Sequence, residues 1–213
     1  MLLVKNCSLI NVAYSRTTSN LPMFATLSTH IDRMLGSSFR GIGEIEQFFV
    51  PLELKKKENL LVEGKICQAN YFVVQGCLRM FFVNEKGVEQ TVQFALENWW
   101  LSDYTSFSSG SPSGFYIQAV EKTRVLSLTH NAQEELLKQH PQLERYFRLV
   151  HQRAHAAAQF RIKGLYGNSR EVLYHQFVQR YPEFVQRIPQ YLLASFLGIT
   201  PEYLSEVRGR AVS

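Results

Sequence analysis

The stretch Gln190-Tyr-Leu-Leu-Ala-Ser-Phe-Leu-Gly-Ile-Thr-Pro-Glu-Tyr-Leu-Ser-Glu-Val-Arg208 decides the architecture. Ala194 is small where two helices must cross closely. Gly198, four residues on, takes a tight turn in which a positive φ meets no Cβ clash. Thr200 is placed to cap a second helix, and Pro201 suits its first position. Leu193, Leu197, Ile199, Leu204 and Val207 supply the apolar contacts of both helices. These residue types at these spacings predict a helix-turn-helix, with Pro201 to about Arg210 entering a major groove N-terminus first. The plain alternative is a helical hairpin used only for packing.

The surrounding charge agrees with a polyanion partner. Residues 151–213 hold 8 basic and 4 acidic side chains, a net +4, residues 23–150 carry a net −1, and residues 1–22 carry Lys5, Arg16 and no acid. Clustered cations displace counterions from phosphates, although an ordinary solvated surface gives a similar excess.

Upstream lies a helical period from Gln142 to Leu165. Leu143, Phe147, Val150, Ala154 and Ala157 alternate at spacings of 4 and 3, continued by Arg161 and Gly164, which predicts a parallel seam between two copies. Alanines at 154, 156, 157 and 158 let a second helix approach; the alternative is a helix packed on its own barrel. Gly164 and Gly167 break this helix. Asn168 then caps the next one, with Glu171 completing a capping box, Val172, Leu173, Phe177 and Tyr181 facing inward, and Pro182 stopping it.

Further upstream the period shortens. Phe48–Leu54, Asn59–Val62, Tyr71–Gln75, Leu78–Val83, Val88–Phe94, Phe115–Val120 and Arg124–Leu128 read as strands, and Asn84-Glu85-Lys86-Gly87 reads as a hairpin turn. Their close spacing predicts a compact antiparallel barrel or sandwich rather than βαβ units. A helix is expected over residues 23–45, from Phe24, Leu27, Ile31, Met34 and Leu35, and another over His130–Gln139. The divisions expected are an N-terminal arm at 1–22, or an upstream start outside the native chain, a β-roll at 23–140, a dimerisation helix at 141–166 and a helix-turn-helix domain at 167–213.

Composition bounds the rest. A chain of 213 residues with 46% hydrophobic and 19% charged residues has room for a real core, which excludes disorder and collagen-like structure. Cys7, Cys67 and Cys77 make neither a disulfide framework nor a C-x-x-C site, so a reduced, cytoplasmic chain is expected. No apolar run approaches the roughly 18 residues of a membrane span. His151 and His155 stand at metal-ligand spacing but lack a third ligand, and His140 and His175 read as surface residues. Lys55-Lys56-Lys57 suits a strand edge that resists pairing. No nucleophile elbow, P-loop or paired-carboxylate motif is present, so no enzyme, metal or cofactor is expected.

The chain resembles Crp/Fnr-family transcription regulators, of the type common in Bacteroidetes. Three features carry this: LKKKENLLVEGKICQANYFVVQGCLRMFF at residues 54–82, similar to the family's cyclic-nucleotide-binding-type roll; the long helix leading out of it; and LLASFLGITPEYLS at residues 192–205. In the first of these, Leu60, Leu61, Gly64, Tyr71, Phe72, Val73, Gly76, Leu78 and Arg79 are the markers. The resemblance implies an α+β chain. Its parts are an N-terminal antiparallel β-roll of double-stranded β-helix or jelly-roll type, a long dimerisation helix and a C-terminal helix-turn-helix domain. It implies a homodimer on double-stranded DNA, with RNA polymerase and an unidentified small-molecule effector as further partners and no membrane. The implied DNA-reading set is Thr200, Pro201, Glu202, Tyr203, Ser205, Glu206, Arg208 and Arg210. Glu206 departs from the family, which often has an Arg there, and any C-terminal wing must come from about Glu183 to Pro189.

The phosphate loop departs as well. Family members that bind cyclic nucleotides use a Gly-Glu pair and an Arg in that loop. The corresponding Glu97–Ala119 has no Arg or Lys, and Glu89, Glu97, Asp103 and Glu121 stand nearby. A buried phosphate needs cations or backbone donors, so cAMP and cGMP are not expected as effectors. Trp99, Trp100, Tyr104, Phe107, Phe115 and Tyr116, with Ser102, Asp103 and Ser106, either line an apolar effector pocket or simply fill the roll. Two readings of function remain: a dimeric sequence-specific regulator, or a ligand-binding or protein-interaction module that has lost DNA recognition.

Overall fold

The computed structural model describes residues 21–210, with the backbone alone given for Leu21 and Arg210. Residues 1–20 and 211–213, and so most of the expected N-terminal arm with Cys7, lie outside the described residues. The order is α1 (Leu21–Leu35), α2 (Ile42–Ile45), a 3-10 turn (Glu46–Phe48), β1 (Val50–Leu54), β2 (Asn59–Leu61), β3 (Ala69–Gln75), β4 (Leu78–Val83), β5 (Glu89–Ala95), β6 (Trp100–Leu101), α3 (Tyr104–Ser109), β7 (Tyr116–Ala119), β8 (Thr123–Thr129), α4 (His130–Gln139), α5 (Gln142–Gly167), α6 (Arg170–Arg180), α7 (Pro182–Arg187), α8 (Gln190–Leu197) and α9 (Pro201–Arg210).

The strands form two four-stranded antiparallel sheets, ordered β1-β8-β3-β6 and β2-β7-β4-β5. This is the expected α+β chain with an N-terminal antiparallel roll. Leu54, Leu61, Tyr71, Val73, Leu78, Leu101, Ile117 and Val125 meet between the sheets. In β3 and β8 the alternate residues Phe72, Leu126 and Leu128 point the other way, into a layer made by α1, α4 and the start of α5. Both faces of these strands are therefore largely buried, which is why apolar residues stand at successive positions, 71–74 in β3 and 125–126 in β8, rather than strictly alternating. The β4–β5 turn is closed by the Asn84 side chain, whose Oδ1 accepts from the N–H of Lys86 and of Val88, both at 3.0 Å. At Gly76 the backbone has φ of 104°, and a Cβ there would lie 2.7 Å from Thr123 Cα. Only glycine fits that corner.

The expected helix over 23–45 is corrected. It ends at Leu35, because Gly36 turns the chain with φ of 72° and Asp32 Oδ1 captures the Phe39 N–H at 2.6 Å. A short α2 follows. The long helix runs through Gly164 to Gly167. Gly164 is a packing site rather than a break, since a Cβ there would meet Leu173 Cδ1 at 2.9 Å. Ser169, not Asn168, caps α6, its Oγ accepting from the Val172 N–H. Tyr174 is the buried residue of α6, whereas Val172 and Tyr181 are exposed. His140 is buried against Phe39 rather than on the surface. Among the described residues no helix is long and apolar enough to cross a membrane.

Leu143 and Phe147, assigned by their spacing to a seam between copies, are buried inside the protomer in the α1 layer. The heptad spacing tracks the helix's inner stripe here, because the first turns of α5 lie on their own roll. Val150 is half-buried, and residues 152–160 are exposed throughout.

Candidate nucleic-acid interface and sensor roll

Helix α8 ends where Gly198 adopts φ of 68° and ψ of 36°. The N–H of Ile199 bonds back to Ala194 O at 3.0 Å, and Thr200 Oγ1 accepts from the Tyr203 N–H at 3.2 Å to start α9. Leu193, Ala194, Leu197, Leu204 and Val207 are buried where the two helices cross. Thr200, Pro201, Glu202, Tyr203, Ser205, Glu206 and Arg208 are exposed. The first turn of α9 thus offers hydroxyls, a phenol and a carboxylate on one outward surface, with a guanidinium further along. Arg210 closes the helix, and its side chain lies outside the described atoms. The segment considered for a wing is instead helical over Pro182–Arg187, with proline at its first position and Phe184 and Val185 buried.

This head is docked on the roll by polar anchors as well as by apolar contact. Strand β5 is an edge strand, so the backbone groups on its outer side have no strand to pair with. Ser195 Oγ donates to Glu89 O at 2.8 Å and accepts from the Thr91 N–H at 2.9 Å. Arg161 Nη2 donates to Thr91 O at 3.3 Å and to Phe196 O at 2.9 Å. Phe94 packs edge-on to Phe184, with ring centroids 5.1 Å apart. At the far corner Arg187 donates from Nη1 and Nη2 to Glu97 at 2.9 and 2.8 Å, and from Nε to Glu121 at 2.8 Å. Glu97 also accepts the Gly76 N–H at 2.7 Å. Burial pushes the Glu97 carboxyl up, but Arg187 and that N–H outweigh it and hold it below the usual range. Hydrogen bonding to Glu97 foremost raises Arg187, so both groups stay charged.

Sequence reading missed Arg187 and Ser195, and it placed Arg161 on the continuation of the seam between copies, whereas Arg161 bonds to its own chain at Thr91 O and Phe196 O. Glu97 and Glu121 are visible as acids, but their cation stands 90 and 66 residues away, and no local pattern links them.

The nine residues considered for an effector pocket do not converge on one cavity. Trp100 lies in the helical layer, its Nε1 donating to Tyr146 Oη at 2.8 Å, while Trp99 is exposed. Phe107 packs on His130, and Tyr104 packs edge-on to His151. Tyr116 stacks on Phe81, and Phe115 meets Phe82. Ser102 is buried and donates to Ala69 O. Asp103 is the N-cap of α3: its Oδ1 accepts from the N–H of Thr105 and of Ser106, and Oδ2 accepts from Ser113 Oγ at 2.6 Å. The backbone donors at the head of α3 are therefore occupied by the chain's own carboxylate.

Residues 51–140 match the family model described as the cyclic nucleotide-binding domain. No curated protein matches the chain. Solved structures of similar fold include FixK2 from Bradyrhizobium japonicum, 17% identical over 76% of this chain and 83% of that one, with a TM-score of 0.63. A CooA variant from Carboxydothermus hydrogenoformans is 18% identical over 79% of this chain and 78% of that one, with a TM-score of 0.62. The regulator CLP of Xanthomonas campestris, described as c-di-GMP responsive, is 12% identical over 86% of this chain and 90% of its own, with a TM-score of 0.64. At such identities the likeness establishes the fold.

Proposed function

We propose that the chain is a homodimeric, sequence-specific DNA-binding regulator of the Crp/Fnr type, whose roll does not respond to cAMP or cGMP. The observation that carries this is α9: its apolar residues Leu204 and Val207 are buried, and its first turn stands exposed. A helix anchored by its apolar face with a polar first turn turned outward has the form of one that enters a groove N-terminus first. Thr200, Glu202, Tyr203 and Ser205 face base edges or phosphates in this reading, and Arg208 and Arg210 serve the backbone; Glu202 accepts from cytosine N4. The bare part of α5 supports the dimer. Val150, Ala154 and Ala157 remain for a seam, and Phe160 and Ile162 are exposed apolar residues beyond them. Two α9 helices related by a twofold axis then read half-sites roughly 34 Å apart. Asp103 supports the insensitivity to cyclic nucleotides, because a phosphate at α3 would meet a buried carboxylate in place of free donors.

Selection of bound sequences from random DNA tests the reading; a palindrome is expected, and no enriched sequence would overturn it. Titration calorimetry with cAMP is expected to give no saturable heat, and micromolar binding would overturn the second half. Glu206 on α9 and the modest net charge of +4 over residues 151–213 favour the rival reading, a module without DNA recognition. A flat dependence of log K on log salt would support that rival.

A further inference from the structure

A cleft of about 380 Å³ lies where α3, α4 and α5 meet. Tyr104, Phe107 and Ser108 line it from α3, His130 and Glu134 from α4, and His151 from α5. On each of the two short helices the spacing of three or four residues sets these side chains on one face. Tyr104, Ser108 and Glu134 are exposed and His130 and His151 are half-buried, so solvent reaches all five. The interior of the roll, by contrast, is filled by its own side chains.

The walls share one electrostatic sign. Tyr104 meets the His151 ring edge-on, with centroids 4.8 Å apart, and Phe107 lies tilted against His130 at 5.2 Å. No lysine or arginine lines the cleft. Burial holds His151 below the ordinary imidazole value, so its ring is neutral near neutral pH. Glu135 is paired with Lys138 at 3.9 Å, but among the described residues no cation pairs with Glu134. Ser108 Oγ spends its proton on Tyr104 O at 2.7 Å, so it offers a ligand lone pairs only. Ring faces, a carboxylate and a hydroxyl oxygen all attract positive charge. Among the described residues no three His, Cys, Asp or Glu side chains converge as metal ligands, which directs the reading to an organic cation.

We propose that this cleft binds a small primary ammonium ion with a hydrocarbon body, the charged group donating to Glu134 and Ser108 and the body lying against the rings of Tyr104, His130 and His151. Three N–H donors on the ligand match acceptors that the protein leaves without a donor. The volume is at the small end of ligand pockets, which suits an alkyl or arylalkyl amine. Such a ligand bridges α3, which is held in the roll, to α5, which leads to the head. Occupancy therefore biases the angle at which α5 leaves the roll, a consequence that rests on the DNA-binding reading above.

The full chain, without DNA, is titrated with phenethylamine, phenethyl alcohol and phenylacetate, which share an aromatic body and differ in charge, while the imidazole C–H resonances of the six histidines are followed. The amine is expected to shift His130 and His151 together and saturably, with a Kd on the order of 1–10 mM, and to leave His175 unmoved. The alcohol and the acid are expected to bind at least about tenfold more weakly. Glu134→Gln is expected to weaken the amine about fivefold with an unchanged melting temperature, because that side chain is exposed and has no ion pair among the described residues. The quaternary trimethyl derivative keeps the charge without the N–H donors and is expected to bind about fivefold more weakly than the amine. No saturable shift, a shift at His175 equal to that at His130 and His151, an alcohol or acid that binds as tightly as the amine, or an unaffected Glu134→Gln overturns the proposal. A quaternary derivative that binds as tightly overturns the assignment to a primary amine. Failure of DNA selection alongside successful amine binding would remove the regulator reading and leave the site standing.

Discussion

Replacing Arg187 with methionine tests how the head is held on the roll. The guanidinium contacts Glu97 through two nitrogens at 2.9 and 2.8 Å and Glu121 through a third at 2.8 Å. A hydrogen bond to a charged group contributes about 1.5–3 kcal/mol when dry, and an exposed ion pair about 0–1 kcal/mol. The side chains of Arg187, Glu97 and Glu121 are 32%, 33% and 36% exposed, so solvent screens them substantially and the pairs fall between those limits. Arg187→Met also leaves two carboxylates facing each other. We expect a loss of about 2 kcal/mol in urea unfolding, with a coupling of about 1 kcal/mol between Arg187→Met and Glu97→Gln in a double-mutant cycle. Hydrogen exchange should rise in α6–α9 before it rises in β3 and β8. The pH sign follows from Glu97. Its pKa is lowered from 4.5 in the fold, so its contribution is complete above that value and is lost as pH falls through the lower folded value. A coupling below about 0.3 kcal/mol, or one that neither 1 M salt nor acid diminishes, would refute the clasp.

Leu193→Ala, at the fully buried crossing of α8 and α9, is expected to cost about 2–5 kcal/mol and to abolish DNA binding; retention of both stability and binding would contradict the packing described. His30 is held neutral, by burial first and then by the charges of Arg33 and Arg153, which bring it from 6.5 to about 4. The unfolded chain takes up that proton more easily, so stability should be flat above pH 6.5 and fall toward pH 4 by on the order of 3 kcal/mol. An unchanged slope in His30→Gln would rule this out. Glu202→Ala should relax preference at one base pair by roughly 1–3 kcal/mol, and an unaltered selected sequence would remove Glu202 from the reading set. Arg208→Ala should lower the salt slope of DNA binding by about one, uniformly across sequences.

Local residue chemistry was enough for much of the architecture. The bounds of β4 and α4 lie where apolar alternation and helical period put them, because each is set by short-range pattern and a nearby turn. The turn at Gly198 and the buried positions of α8 and α9 were legible for the same reason: a helix-turn-helix fixes residue type at nearly every position. The two-residue strand β6 and the short helices α2, α3 and α7 were not, since each is too brief for a period to show. Trp99 to Tyr116 reads as one aromatic cluster in sequence, yet the pleat and α3 send its members to different faces.

Composition, periodicity and the α8–α9 spacing by themselves determined an antiparallel roll, a long helix and a C-terminal helical pair, because backbone conformation follows from neighbours a few residues away. Tertiary structure decided the rest. It put Leu143 and Phe147 inside the protomer, turned Asp103 into a helix cap, and joined Arg187 to Glu97 and Glu121 and Ser195 to the edge of β5. Which face a helix buries, and which charge neutralises which, depends on groups far apart in the chain that meet only once the sheets have closed.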